Sequence, residues 1–376
     1  MIDTISYSDF FARLDRRWTE RRLPLFAMIE VTRRCPQNCV HCYNNLPLGD
    51  AQEASKELSL ADHCRILDEI AEAGCLWLTY TGGEVFARED FLDIYAHARK
   101  RGFLVTLFTS GTLITPSIAD HLARQRPRRV EISVYGRTPE THDRVTRVPG
   151  SHQRCMQGVR LLAERGIPYE LKTMVLSLNQ HELPQIRHLA EVELGVKFRF
   201  DPLLVPRLDG SHVPLALRLS ADEVVELDRR DPKRARGFAE TGHQSDGCSV
   251  ESTSNDLYQC RAGINAFAID PYGGLNLCLF SPGGKYDLRT GSFREGWDTV
   301  VLADRSRKLT RPVRCVGCSI RRLCGTCPPN SEMEHGDPEE PVAHCCEVAH
   351  LRAQAFSVPV KPHGECEYCV QTTEET

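Results

Sequence analysis

Between residues 25 and 202, short apolar runs alternate with longer amphipathic segments. The runs Phe26–Val31, Leu76–Tyr80, Leu104–Phe108, Val130–Val134, Tyr169–Val175 and Lys197–Phe200 have the length and residue types of buried strands. Between them, apolar residues recur at helical spacing over Ala61–Ala73, Asp90–Lys100, Ser117–Arg124, Gln153–Arg165 and Leu183–Val192. Gly74, Gly102, Gly166 and Gly195 follow four of these segments, where a left-handed cap suits glycine. Repeated strand–helix units predict an α/β fold, a parallel sheet with helices packed outside it. Six units are too few for a full eight-unit barrel.

The texture then changes. Residues 203–257 are rich in Pro and charge and carry one helical stretch, Ala221–Arg230, so they read as a bridge. From Tyr258 onward, short strands, glycine turns and cysteines dominate. That segment holds too few apolar residues for a large core, and bound metal would staple it. The expected division is therefore a lead-in at 1–24, a strand–helix domain at 25–202, a bridge at 203–257 and a cysteine-rich domain at 258–376.

Charge and composition narrow the function. The 376-residue chain carries a net charge of −4, which leaves no basic footprint for nucleic acid. No apolar stretch reaches the length of a membrane span, and charges crowd Arg13 to Arg22 where a signal peptide would be apolar. A cytoplasmic protein is expected. There, its seventeen cysteines point to metal rather than to disulfides. Three lie in one early loop and eleven between Cys248 and Cys369, while Cys64, Cys75 and Cys155 are scattered. These last three read as small buried apolar residues.

The early loop is Cys35-Pro-Gln-Asn-Cys39-Val-His-Cys42, directly after the first strand. Iron–sulfur cubanes usually take four cysteine ligands, so a three-cysteine loop leaves one iron open to a small molecule. A zinc knuckle is the alternative, although zinc sites prefer paired ligands with a fourth close by. The spacing resembles the signature of the radical S-adenosylmethionine (SAM) enzymes. The resemblance implies a partial six-stranded (β/α) barrel of TIM type with its site at the carboxyl ends of the strands. It also implies a four-iron cluster on Cys35, Cys39 and Cys42, with SAM chelating the open iron. One electron would then release a 5′-deoxyadenosyl radical.

Further site residues follow from the same resemblance. Gly82-Gly83-Glu84 ends the second strand and resembles the segment that binds the amino group of SAM. Paired glycines there would let backbone approach a ligand closely. Ser133 suits the polar position ending strand four, and Arg144 or Arg147 could pair with the SAM carboxylate, or cap a helix and face solvent. Ser110 ends strand three in a comparable place. His41 stands where many relatives carry an aromatic residue that packs on the adenine. Asp201 and Tyr135 are candidates for a catalytic proton acceptor, and both equally suit structural hydrogen bonds.

Downstream, Cys260 is followed by Gly273 and Cys278, then Cys315-x2-Cys318-x5-Cys324-x2-Cys327 and the pair Cys345-Cys346. This order resembles the SPASM extension, which carries two auxiliary four-iron clusters in peptide-modifying radical SAM enzymes. The resemblance implies one auxiliary cluster on Cys260, Cys278 and Cys327, and a second on Cys315, Cys318, Cys324 and Cys345. It departs in having two residues rather than three between Cys324 and Cys327. The fourth ligand of the first auxiliary cluster is Cys248 or none, and Cys346 competes with Cys345. The pair Cys366 and Cys369 falls outside the pattern and suits a metal site, a redox pair or a tail.

Auxiliary clusters imply a reaction that loses an electron overall. The expected activity is oxidative cross-linking or bond formation in a ribosomally made peptide, by an oxidoreductase of the peptide maturase type. Alternatives are modification of a small molecule such as a tetrapyrrole side chain, formylglycine formation on a sulfatase, or a non-enzymatic iron–sulfur electron carrier. Leu279 and Phe280 follow Cys278 where formylglycine-forming relatives place an acid, and a carrier needs no SAM pocket. Expected partners are the precursor peptide and an external one-electron reductant such as flavodoxin or ferredoxin. A separate leader-binding protein is also expected, since only about 24 residues precede strand one.

Overall fold

The computed structural model describes residues 16–44, 46–243, 255–281, 283–366 and 369. They gather into two compact units. The first comprises Met1–Thr173, His181–Phe200 and Cys260–Arg305, and the second Met174–Gln180, Asp201–Gln259 and Ser306–Thr376. Cys248 lies outside the described residues.

All six expected strands form: β1 (Phe26–Glu30), β2 (Trp77–Thr81), β3 (Leu104–Thr109), β4 (Arg129–Ser133), β5 (Tyr169–Met174) and β6 (Phe198–Asp201). They lie side by side in chain order, and β1 to β5 pair parallel. Helices α1 (Leu60–Glu72), α2 (Phe91–Lys100), α3 (Pro116–Arg124), α4 (Pro139–Thr146), α5 (Ser151–Glu164) and α6 (Leu183–His188) fall between them. Ser59 starts α1 with a reciprocal capping box to Asp62, and the helix buries Ile66, Leu67 and Ile70. Phe91, Ile94 and Tyr95 of α2 are equally buried, as are Leu78, Tyr80, Val105, Leu107, Val130 and Ile132 on alternate strand positions. Gly74 and Gly102 adopt positive φ after α1 and α2, as their places predict. The result is an α/β core with parallel strands.

The sheet has nine strands, because β7 (Ala266–Ile269), β8 (Gly274–Asn276) and β9 (Tyr286–Asp287) extend it. β7 pairs parallel with β1, from Phe26↔Ala266 to Ile29↔Ile269. The segment following Cys260 therefore groups with the core strands, whereas the expected boundary lay at 257/258. The reason is the free edge of β1, whose N–H and C=O groups need a partner. Phe267 then meets Phe293 at a tilt and Trp297 edge to face, and the Arg22 guanidinium lies 4.3 Å from the Trp297 ring centre.

In the second unit the expected bridge holds two helices, α7 (Ala221–Arg230) and α8 (Pro232–His243). With α9 (Pro328–His335) and α10 (Ala343–Ala355) they account for most of its helical structure. Asp228, fully buried on α7, takes Arg352 Nε of α10 at 2.8 Å and Arg234 Nε of α8 at 2.7 Å. Arg352 also donates to Leu323 O at 2.7 Å, beside a small apolar cluster of Ile320, Leu323, Ala349 and Ala353. Among the described residues, no helix is long and apolar enough to cross a membrane.

Candidate active site

The cysteine loop begins where β1 ends and is held from three sides. Val31 N donates to Thr81 O of β2 at 3.0 Å. Asn38 N and Val40 N donate to Thr146 O and Val145 O, both at 3.0 Å, using carbonyls that the last turn of α4 leaves without helical partners. At the far end, Glu30 receives the Tyr43 hydroxyl at 2.7 Å and the Asn44 amide. Burial pushes the Glu30 carboxyl upward, against the nearby Arg33 guanidinium and these two hydrogen bonds. Glu57 supports the start of the loop: it binds Thr32 Oγ1, Arg34 Nε at 2.9 Å and Arg88 Nη1 at 3.4 Å.

Gly82 and Gly83 lie against this loop. Gly83 N donates to Thr32 O at 2.7 Å and Glu84 N to Arg34 O at 3.0 Å. A Cβ on Gly82 would stand 2.2 Å from Thr32 O, and one on Gly83 2.4 Å from Arg34 O. The close approach that the glycines permit is thus to the backbone leading into Cys35. Glu84 is 1% exposed, and it accepts Thr109 Oγ1 at 2.7 Å, Ser110 N at 2.8 Å and Ser110 Oγ at 2.5 Å. Burial raises its pKa, and the Ser110 and Thr109 hydrogen bonds oppose the rise. Its carboxylate therefore ties the ends of β2 and β3 together.

The remaining candidates divide. The His41 and Tyr135 rings meet edge to face at 4.7 Å, and burial lowers the His41 pKa to about 4. Burial also raises the Tyr135 phenol, an effect that Cys39 reinforces and a hydrogen bond to Ser133 offsets. His41, Ser133 and Tyr135 thus stand beside the cysteine loop. Arg144 and Arg147 are exposed, Arg147 in a left-handed conformation at the end of α4. Asp201 is exposed, and its Oδ1 accepts Leu203 N at 2.9 Å in a local turn.

In the second unit, a cavity of about 80 Å³ is lined by Cys315, Cys318, Cys324, Cys327 and Cys346. Burial raises the thiols of Cys315 to about 11 and of Cys346 to about 12. Cys346 is further raised by Cys369, Cys324, Cys315 and Cys318, whereas among thiols Cys345 responds to Cys324 alone. Cys345 is buried and lies off the cavity wall. Burial raises the Cys318 thiol, and Cys366, itself buried, raises it further. Cys260 and Cys278 belong to the first unit and Cys327 to the second.

Residues 29–190 match the radical SAM superfamily model. The chain carries a radical SAM domain. It is 27% identical over 351 residues to an AdoMet-dependent heme synthase of Methanosarcina barkeri, covering 84% of this chain and 94% of that protein. A PqqA peptide cyclase of Rhodopseudomonas palustris is 33% identical over 168 residues, 45% of this chain and 44% of the cyclase. The chain thus matches less than half the length of that cyclase. In fold it is similar to Streptococcus suis SuiB bound to precursor peptide SuiA, with a TM-score of 0.62 at 15% identity over 92% of this chain and 82% of that one.

A radical SAM enzyme uses a four-iron cluster and SAM, and the loop fits such a group. Burial raises the Cys35 and Cys39 thiols; Glu84 and Cys42 raise Cys35 further, and Cys42 and Cys35 raise Cys39. Gln37 Nε2 and His41 Nδ1 are buried beside them without a hydrogen-bond partner. Sequence reasoning missed Glu30, Tyr43, Glu57 and Arg88, which hold the loop. The signal was present for Glu30, a lone carboxylate inside the apolar run Leu25–Val31.

Proposed function

We propose that this radical SAM enzyme oxidatively modifies a ribosomally made peptide, forming a cross-link or other new bond. The observation that carries the reading is that Gly82 and Gly83, next to the buried Glu84, pack against the backbone leading directly into the Cys35-x3-Cys39-x2-Cys42 loop. Similarity of the core to PqqA peptide cyclases supports the peptide substrate. When bound, the cluster and SAM supply one-electron cleavage of the sulfonium and with it hydrogen-atom abstraction.

The chain's own part is to place and enclose. Cys35, Cys39 and Cys42 hold the cluster, and the Gly82–Glu84 backbone receives the SAM amino group. His41 and Ser133 border the cofactor, while Arg144 reaches its carboxylate. Cys315, Cys318 and Cys324, together with Cys345, hold an auxiliary cluster, and it accepts the surplus electron. Flavodoxin or ferredoxin supplies the initiating electron, and a separate protein presents the leader of the precursor.

The test is anaerobic incubation of the reduced protein with SAM and candidate precursors. The reading requires 5′-deoxyadenosine formation and a peptide lighter by two hydrogens. A second reading rests on the near full-length match to the heme synthase. If a porphyrin bearing propionate side chains is consumed and no peptide is, that reading replaces the first.

A further inference from the structure

The C-terminal unit gathers a second donor set. Helix α10 carries Cys346 and His350 one turn apart, on the same face. Beyond it the chain turns at Pro362, whose carbonyl accepts the N–H groups of Glu365 and Cys366, both at 3.1 Å. That turn brings His363 and Cys369 to Cys346 and His350, and the four donor atoms lie within 4.8 Å of one another.

The orientations suit metal. His350 Nδ1 lies 2.9 Å from the carbonyl oxygen of Cys346. An oxygen of that kind only accepts, so Nδ1 carries the proton and Nε2 keeps its lone pair. This is the arrangement that fixes the tautomer of ligating histidines. Nε2 faces Cys369 Sγ at 3.8 Å. The same sulfur accepts Gly364 N–H at 3.2 Å, and the His350 and His363 rings stand 5.1 Å apart.

We propose that Cys346, His350, His363 and Cys369 form a site for one mononuclear divalent cation, zinc by its donor set. Tetrahedral zinc with two sulfurs and two nitrogens holds neighbouring donors roughly 3.3–3.8 Å apart, so a small contraction closes the site. A two-iron cluster with two cysteines and two histidines puts the two kinds of ligand on opposite irons. That would spread the donors beyond the observed 4.8 Å. Four protein ligands leave no open position, so the ion is structural and pins the C-terminal segment to α10. Cys346 is thereby taken from the cavity whose wall it shares with Cys315, Cys318 and Cys324. The assignment is independent of the substrate.

Full-length protein purified anaerobically, without reconstitution, is analysed for zinc and iron beside H363N, C369S and C346S. The expected result is about one zinc per chain in the parent protein. All three variants should lose it with iron unchanged. Protein produced with cobalt should show the visible bands of tetrahedral cobalt with thiolate ligands, and H363N should lack them. The cobalt spectrum of the parent protein decides the matter even if the variants fail to fold. Absence of both zinc and those bands overturns the proposal, as does a C346S protein that loses about four irons and keeps its zinc.

Discussion

The Tyr43 hydroxyl donates to Glu30 Oε1 at 2.7 Å, so the residue after the third loop cysteine is anchored to the last residue of β1. Together with the Asn44 amide, which reaches the same carboxylate, this contact closes the cysteine loop onto the strand from which it departs. Tyr43→Phe should cost about 2 kcal/mol, the scale of a hydrogen bond to a charged group. It should also release iron to a chelator faster, with the Gln variant of Glu30 intermediate. Urea unfolding and timed iron release check both.

Gly83→Ala should be far worse than Gly74→Ala. A Cβ at position 83 meets Arg34 O at 2.4 Å and Arg33 O at 2.5 Å, while at position 74 nothing lies within 4 Å. Gly74 has φ +97°, so alanine there should cost only about 1 kcal/mol from backbone strain. The expected outcome for Gly83→Ala is loss of the cysteine-loop geometry, read as loss of about four irons per chain. Equal iron in the two variants would contradict the packing account.

His63 gives a pH signature. It is 1% exposed, and burial lowers its pKa to about 3, with Arg88 contributing. The unfolded chain then binds a proton between about pH 6.5 and 3 that the folded chain does not. Stability therefore rises with pH across that window and is lost on acidification. Between pH 7 and 5 the loss assigned to this group is at most about 2 kcal/mol. His63→Leu should reduce the parent's pH 7 to 5 difference in denaturation midpoint, and an unchanged difference would refute the assignment.

Asp228→Ala should destabilise the second unit by about 3–5 kcal/mol, because it strands the buried Arg352 guanidinium. Arg352 also holds Leu323 O, so the damage should extend to the segment carrying Cys318 and Cys324. Limited proteolysis should cut residues 306–376 before the core in this variant. Simultaneous cutting of both units would count against it.

Much of the core was legible because its signals are local. The six strand runs and four glycine caps depend on neighbours a few residues away, and the cysteine loop depends on spacing within eight residues. Gly82-Gly83 was legible as a place of close approach, yet what approaches is the loop backbone from Thr32 to Arg34. The segment ending in Arg147 was singled out for its basic side chains, whereas its backbone carbonyls at Val145 and Thr146 hold the loop.

By itself the sequence determined the order of strands and helices, the three-cysteine loop and the order of the later cysteines. Periodicity and short spacing carry those, and they survive any arrangement of distant parts. Only the tertiary structure decided that β7 pairs with β1, that Asp228 meets Arg352, and that Cys346 and His350 stand beside His363 and Cys369. Such contacts join residues far apart in the chain. Their energy comes from satisfying buried charges, sheet edges and ligand atoms together, which no local window contains.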